Sequence, residues 1–359
     1  MNVFLTTQAI PVAPVTAEPR PAITSVKPSG RIAALDFTKG ALILIMVLYH
    51  WLNYFVGPTG YYYIYLRFLP PSFIFISGFL VSHVYLAKYQ ITDSKLPKRL
   101  LTRGAKLLGV FAALNAIIDL LIDGPHREHI MLAKLSPHML WATYVMGSFA
   151  DGRSVAFFIL LPISYLLILS ALLCVACRIY RHAFHAAFAV SLVLLLAASL
   201  NGVESGNLEF LTTGLFGIST GYLPMHRIQY VLKHPYGLML AYVGYIVAIN
   251  IWGVTYPFQV VSVFLTLGLL YWLGTISGEL RRIPRIIIRL GKYSLYGYIV
   301  QIAILQVMRR GLRLYASNPW VAEACFIAAV MFTIIAVEML DEGRRRLPAL
   351  NRLYAAVFL

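Results

Sequence analysis

The sequence predicts an all-α protein, a polytopic bundle of transmembrane helices with about ten spans and both termini in the cytoplasm. Of its 359 residues, 60% are hydrophobic and only 12% are charged, and the mean hydropathy is +0.75. A soluble domain has about 45–50% apolar and about 25% charged residues. Since each crossing takes about 20 apolar residues, the length accommodates roughly ten helices with their loops. These values exclude a soluble enzyme, a secreted disulfide scaffold and a wholly disordered chain.

The elements follow one another with short connections. Residues 1–30 are rich in Pro, Ala, Thr and Val and contain no apolar run of signal-peptide length, which indicates a disordered cytoplasmic tail. A transmembrane domain is predicted over 31–345, and 346–359 is expected to form a short cytoplasmic C-terminal segment. The predicted spans are 34–56, 68–88, 104–122, 154–177, 183–200, 209–224, 236–253, 257–276, 290–308 and 320–339.

Basic residues indicate the orientation of these spans. The net charge of +16 is concentrated in segments on the N-terminal side of the predicted membrane, as the positive-inside rule expects, so no nucleic-acid partner is predicted. The opposite loops at 201–208 and 254–256 contain no basic residue. The basic segments are 88–106, 178–182, 225–234, 281–292 and the tail after 343. One group on the predicted outer side conflicts with the rule: Arg309, Arg310 and Arg313.

The longest connection within the bundle is expected at about 123–153, on the outer face, with a short amphipathic helix. His126 and His129 lie in this loop, but they lack the HExxH spacing of a helical zinc site. An ordinary solvated loop is the favoured interpretation, and no metal site is predicted.

The first span contains three ionisable residues: Asp36, Lys39 and His50. Such side chains are unfavourable in a bilayer and usually face a partner or a cavity, so they indicate function. Asp36 and Lys39 are three residues apart and are expected to form an ion pair near the cytoplasmic end. Lys39 and His50 share a helix face about 16 Å apart along the axis.

Each of these residues also has a structural interpretation. His50 is then a histidine that fixes packing by a hydrogen bond to a neighbouring helix. Lys39 is then a charge that extends to the lipid headgroups. Their position on one face favours a functional role, as do the motifs described next.

Four segments carry recognisable patterns in a fixed order. LDFTKG at 35–40 leads into a helix that reaches His50, and PPSFIFISGFLVSHVY follows at 70–85. KRLLTRGAKLLGVF stands at 98–111, and LGKYSLYGYIVQIAIL at 290–305. Together they resemble the acyltransferase-3 family of integral membrane acyltransferases. Two departures stand out, because Lys39 replaces the family's Arg and Gln301 stands where His is usual. Heparan N-acetyltransferase-like proteins share a similar first-helix pattern, and OpgC-type glucan acyltransferases are a further group that the chain resembles.

The resemblance implies an O-acyltransferase domain over 31–345 in a bacterial inner (plasma) membrane. Such an enzyme moves an acyl group, most simply acetyl, from cytoplasmic acyl-CoA to a hydroxyl of an envelope or exported glycan. Its partners are the lipid bilayer and a glycan or lipid-linked sugar. His50 is the expected general base, with an acyl-His intermediate as the alternative. Asp36 and Lys39 are expected to hold the geometry of the entrance.

The phosphates of coenzyme A require cations, and guanidinium groups bind phosphate in a forked geometry. For each basic residue, positive-inside topology is the structural alternative. Glu338, near the end of the last span, is expected to form a salt bridge with Arg345 or Arg346. The predicted donor-binding residues are Arg99, Arg103, Lys106 and Arg289.

Polar residues on two further spans complete the predicted site. Ser294, Tyr298 and Gln301 are spaced by four and three residues and form one stripe, which is expected to line the substrate cavity. Ser77 is a candidate hydrogen-bond donor in the second span, where helix packing beside Gly78 is the alternative.

Other functions lack sequence support. No GxSxG elbow, P-loop, Rossmann fingerprint or HExxH is present, so hydrolase, ATPase and dehydrogenase functions are disfavoured. A transporter with Asp36, Lys39 and His50 as a proton relay remains an alternative, but no internal repeat of the kind typical of transporters is found. A non-catalytic scaffold protein would leave the three ionisable residues of the first span unexplained.

Overall fold

The computed structural model describes residues 32–57, 62–89, 93–121, 137–147, 157–277, 282–312 and 318–358. Within these ranges the regular elements are all helices, with no strand. The predicted tail at 1–30 and the histidines His126 and His129 lie outside the described residues. The all-α prediction is therefore confirmed for the part of the chain that the structure describes.

The helices are numbered here in chain order. Three of them continue directly into a π-helix: α1 into Leu52–Val56, α3 into Val81–Leu86 and α5 into Trp141–Met146. The helices are α1 Ala33–Trp51, α2 Tyr63–Leu66, α3 Leu69–Leu80, α4 Lys95–Leu121, α5 Pro137–Leu140, α6 Leu160–Ala176, α7 Ala183–Leu200, α8 Gly206–Gly221, α9 Met225–Leu232, α10 Pro235–Trp252, α11 Tyr256–Ser277, α12 Arg282–Lys292, α13 Ser294–Gly311, α14 Pro319–Arg346 and α15 Pro348–Phe358.

Each of the ten predicted spans coincides with a helix. Among the described residues, seven helices are long and apolar enough to cross a membrane, and α6 is a shorter apolar helix. The two other predicted spans correspond to α8 and α13, which are 16 and 18 residues long. Helix ends follow local sequence rules, since Ser205 caps α8 and Asn318 caps α14 through their side-chain oxygens.

Two segments predicted as basic loops are helices. Residues 225–234 contain α9, and 281–292 contain α12. In α12 the basic residues alternate with isoleucines at helical spacing, so the mean hydropathy of the segment is low although one face is apolar. A search for long apolar runs therefore misses this helix.

Small residues let α12 lie directly against α1. A Cβ atom on Gly291 would overlap the backbone carbonyl of Asp36, and one on Gly40 would overlap the carbonyl of Ile287. Gly78 of α3 stands equally close to the carbonyl of Gly214 in α8. Close backbone approach of this kind is typical of helices packed within membranes, where van der Waals contact drives association.

Contacts along α1 define two ends of the bundle. Gly297 of α13 lies beside Ile43, and Gln306 contacts Tyr54, so α1 and α13 run parallel. Asp36, Lys39 and the start of α13 mark one end, called the Lys39 end below. His50 and the end of α13 mark the other, called the His50 end. Tyr63 packs against Tyr49, so α3 runs back toward the Lys39 end, where α4 begins.

Candidate active site

Asp36 and Lys39 form the ion pair that their spacing predicts. Lys39 Nζ lies 2.5 Å from Asp36 Oδ1. Asp36 is 6% exposed, and its backbone carbonyl faces Gly291 of α12. The pair forms because side chains three residues apart share a helix face, and the segment of α1 that carries it packs against the amphipathic helix α12.

His50 lies in a group of tyrosine rings, three turns further along α1. Its ring centroid is 5.3 Å from that of Tyr49, 6.3 Å from that of Tyr54 and 6.1 Å from that of Tyr298. Within the described residues, the buried His50 Nε2 atom has no hydrogen-bond partner. A buried polar atom without a partner is unfavourable unless a ligand or water meets it. The predicted packing bond from His50 Nε2 to a neighbouring helix is not observed in this part of the chain.

The α13 stripe contributes two of its three members to this region. Tyr298 is 6% exposed and packs against His50, and Gln301 is fully buried. Both amide atoms of Gln301 lack a hydrogen-bond partner among the described residues, as does the buried hydroxyl of Tyr63. Ser294 lies one turn before Tyr298 at the start of α13. Unpartnered donors and acceptors thus occur one turn along α13 from Tyr298 and in Tyr63, which packs against Tyr49.

Ser77 takes part in its own helix instead. Its hydroxyl donates a 2.8 Å hydrogen bond to the carbonyl of Phe73, one turn earlier in α3. The neighbouring Gly78 lies against the backbone of Gly214. This geometry favours the packing alternative over a role in substrate binding.

Phe157 was not identified from the sequence. It packs edge-on against Tyr298 at 6.0 Å and is 4% exposed. Its φ of 59° lies in the left-handed region, which is rare for a bulky residue. Such strain is common at functional sites, but no sequence pattern marks it in advance. The tyrosines around His50 do have a signal, namely the dense run of aromatic residues at 49–65.

Two of the predicted donor-binding arginines form a ladder with tyrosines. Arg99 Nη1 donates to the hydroxyl of Tyr89 at 2.8 Å, and Arg103 donates to the hydroxyl of Tyr85. The two arginines are one turn apart on α4, and the two tyrosines are also four residues apart. In the described ranges neither arginine has a carboxylate partner, and Lys106 follows on α4 after Arg103. Phenols orient the guanidinium groups without neutralising them, which leaves their charge for an anion.

Arg289 differs from these residues because its charge is balanced within the protein. It forms an ion pair with Glu338, and its Nε lies 3.5 Å from Asp341 Oδ2. Asp341 is 3% exposed and also accepts a 2.5 Å hydrogen bond from the hydroxyl of Tyr293. The expected pairing of Glu338 with Arg345 or Arg346 is wrong. An arginine from another helix reaches Glu338 instead.

The other cations near Asp341 also form ion pairs with carboxylates. Lys292 Nζ lies 3.1 Å from Asp341 Oδ1, and Arg345 Nη2 lies 2.7 Å from Asp341 Oδ2. Arg346 pairs with Glu342 at 2.6 Å. This network ties α12 to α14, so a donor phosphate at Arg289 would have to compete with two carboxylates.

No group of three or more His, Cys, Asp or Glu side chains that could hold a metal occurs among the described residues. The described side chains of the site offer an imidazole, phenols, an amide and two arginines held by phenols. A free imidazole nitrogen in a dry aromatic environment is suited to proton transfer.

Comparison with known proteins agrees with this chemistry. A family model described as an acyltransferase domain, that of the acyltransferase-3 family, matches residues 32–339. No curated protein and no solved structure gives a match. The matched region runs from the start of α1 into α14 and includes His50, its aromatic neighbours, Gln301 and the arginines of α4. The chain therefore belongs to the acyltransferase-3 family, and it is an integral membrane acyltransferase.

Proposed function

We propose that this acyltransferase moves an acyl group, most simply acetyl, from cytoplasmic acyl-CoA to a hydroxyl of an envelope or exported glycan. The observation that supports this most directly is the buried, unpartnered Nε2 atom of His50, surrounded by tyrosines. The proposed setting is a bacterial inner membrane, with the Lys39 end facing the cytoplasm.

The donor would bind at the Lys39 end. Arg99 and Arg103 are oriented by Tyr89 and Tyr85 and carry no carboxylate in the described part of the chain. They can therefore meet the phosphates of coenzyme A in forked geometry. The pantetheine arm is long and flexible, so its thioester can lie inside the bundle, away from the phosphates.

In the proposed reaction His50 Nε2 accepts the proton of the acceptor hydroxyl as that oxygen attacks the thioester carbonyl. The carbon–sulfur bond then breaks, and the coenzyme A thiolate takes up a proton. An acyl ester and free coenzyme A are the products. Gln301 offers an amide N–H toward the developing oxyanion, since its donor atom is buried and unpartnered in the described structure. The surrounding rings exclude water, which would otherwise hydrolyse the thioester.

The test uses the purified full-length protein in nanodiscs with acetyl-CoA labelled in the acetyl group. An acyltransferase is expected to release coenzyme A and to pass label to a glycan extract or, slowly, to water. A transporter that uses Asp36, Lys39 and His50 as a relay would instead move a substrate across liposomes and leave acetyl-CoA intact. Intact acetyl-CoA in the presence of envelope glycans, with longer acyl-CoA donors equally intact, would contradict the proposal.

A trapping experiment separates direct transfer from a covalent intermediate. The protein is mixed with labelled acetyl-CoA without acceptor, denatured within milliseconds and examined by peptide mass spectrometry. Direct transfer predicts an unmodified peptide around His50, whereas an acyl-His intermediate predicts an added acetyl group there.

A further inference from the structure

Arg309 lies next to Tyr54, the tyrosine that stacks on the proposed base, although the sequence assigns it no role. Its guanidinium carbon is 5.6 Å from the centre of the Tyr54 ring, and that ring stacks on His50 at an interplanar angle of 25°. Gln306, three residues earlier on α13, donates a 3.2 Å hydrogen bond to the Tyr54 hydroxyl. Tyr54 therefore links a cation directly to the imidazole.

The charge of Arg309 is not neutralised in the described part of the chain. No carboxylate there pairs with it, in contrast to Arg289, which pairs with Glu338. Arg309 is exposed at the last turn of α13, whereas Arg289 precedes the start of that helix. The two arginines thus lie at opposite ends of the bundle.

The position of Arg309 also conflicts with the distribution of charge along the chain. Basic residues crowd the Lys39 end, whereas Arg309 lies at the His50 end, as does Arg67. The positive-inside rule therefore does not explain a cation at the His50 end. The negative pole of the helix and the lipid headgroups offer two general reasons, and both apply equally to the adjacent Arg310.

We infer that Arg309, with the hydroxyl of Tyr54, binds an anionic group of the acceptor, a phosphate or a carboxylate near the hydroxyl that receives the acyl group. Arg309 supplies a forked pair of N–H donors, and Tyr54 supplies an O–H donor because its oxygen already accepts from Gln306. An acceptor bound by these groups enters from the His50 end, opposite the cations proposed to bind the donor. This inference rests on the proposed acyl transfer, but its test does not require turnover.

The test measures binding of glucose 6-phosphate and of glucose to the full-length protein in phosphatidylcholine nanodiscs by saturation-transfer NMR. The wild type is expected to bind the phosphate about tenfold more tightly than the neutral sugar, as a charge-assisted contact provides. Arg309→Gln should remove this preference and Arg309→Lys should retain part of it. Tyr54→Phe should weaken it less than Arg309→Gln.

Arg310→Gln is the matched control, because it removes the same charge from the same turn. It should leave the preference for the phosphate unchanged. Equal effects of Arg309→Gln and Arg310→Gln would overturn the inference, because they would mean that either cation acts only through general charge at the membrane surface. A wild type without any preference would overturn it as well.

A lipid arm distinguishes the two sources of phosphate. The measurement is repeated in nanodiscs that contain phosphatidylglycerol. If the anionic lipid abolishes the Arg309-dependent preference, a headgroup occupies the site and the inference is wrong. If the preference persists, the site is reserved for a substrate anion. Failure of the assay with acetyl-CoA and with longer acyl-CoA donors, together with a persistent preference, would refute the proposed transfer from acyl-CoA to a glycan while leaving the anion site established.

Discussion

The Lys39 end and the His50 end of the bundle treat polar groups in opposite ways. At the Lys39 end, Lys39 pairs with Asp36, and the buried carboxylate of Asp341 is surrounded by cations. At the His50 end, the described structure leaves His50 Nε2 and both amide atoms of Gln301 buried without partners. The buried charges at the Lys39 end are thus paired within the protein, whereas buried polar atoms at the His50 end lack partners in the described structure.

From this difference we infer that the His50 end is suited to bind a ligand, whereas the charges of the Lys39 end mostly serve the fold. A buried polar atom without a partner costs about 1–3 kcal/mol, so a protein that keeps several together gains something else from them. Arg99 and Arg103 are the exception at the Lys39 end, because phenols rather than carboxylates hold them. By the same criterion, these two arginines are the part of that end suited to a ligand.

The largest expected effect comes from His50. His50→Ala should lower acyl-transfer turnover by about 10²–10⁴-fold, because a general base contributes that much to the rate. We expect little loss of expression. The matched control is His185→Gln, since His185 also stacks on a tyrosine but belongs to α7, outside the site. If His50→Ala keeps more than about a tenth of wild-type turnover, His50 is not the general base, and the unpartnered atoms at the His50 end have no catalytic role.

The next test concerns the ion pair on α1. Lys39→Met should reduce transfer about tenfold or more, whereas Lys39→Arg should keep most activity, if the pair supplies charge at the entrance. Lys39→Met also removes a positive charge that lies against the buried carboxylate of Asp36. Adding Asp36→Asn should then recover thermal stability without recovering activity. Full activity in the double variant would show that this pair is purely architectural.

Donor binding should respond less, and in KM rather than kcat. Arg103→Ala should raise the KM for acyl-CoA about tenfold with a smaller change in turnover, because a phosphate contact persists from ground state to transition state. Tyr85→Phe should raise it several-fold less, since it frees the guanidinium group without removing it. Lys98→Ala, an exposed charge on the same helix, serves as the control. An unchanged KM in Arg103→Ala would exclude Arg103 from the site.

The smallest expected effect is on the free energy of unfolding, and it concerns only the packing of α12 against α1 at the Lys39 end. Gly291→Ala should lower the free energy of unfolding by about 1–3 kcal/mol, because its Cβ meets the backbone of Asp36. Gly109→Ala is the control within α4, where a Cβ has open space, and it should be neutral or stabilising by about 0.5–1 kcal/mol. Thermal unfolding of the two variants measures the difference. Equal melting temperatures would mean that α12 does not press against α1.

The sequence predicts long apolar helices well, because a bilayer imposes one length and one polarity on each crossing. It predicts contacts within one helix equally well, as the Asp36–Lys39 pair shows. It fails where a partner comes from elsewhere in the fold. Glu338 was assigned to arginines on its own helix, yet Arg289 of α12 reaches it.

The site was only partly predictable for the same reason. In the part of the chain that the structure describes, four of the predicted residues have an atom without a hydrogen-bond partner or a charge without a carboxylate partner: His50, Gln301, Arg99 and Arg103. Ser77 and Arg289 have partners inside the protein, which spacing alone does not reveal. The strained Phe157 has no sequence signal, because backbone strain depends on packing around the residue.

The five-residue π-helix Leu52–Val56 continues α1 beyond His50. The number of residues in this segment determines which side chains point toward His50. A π-turn holds one more residue than an α-turn before each hydrogen bond closes. Deleting one residue here, Leu52 for example, would bring Tyr54 one position closer to His50 along the chain and turn its side chain to another direction around the helix axis. The imidazole would then lose its stacked ring although every other side chain remained. The length of this short segment, as much as its composition, therefore determines which aromatic ring covers His50.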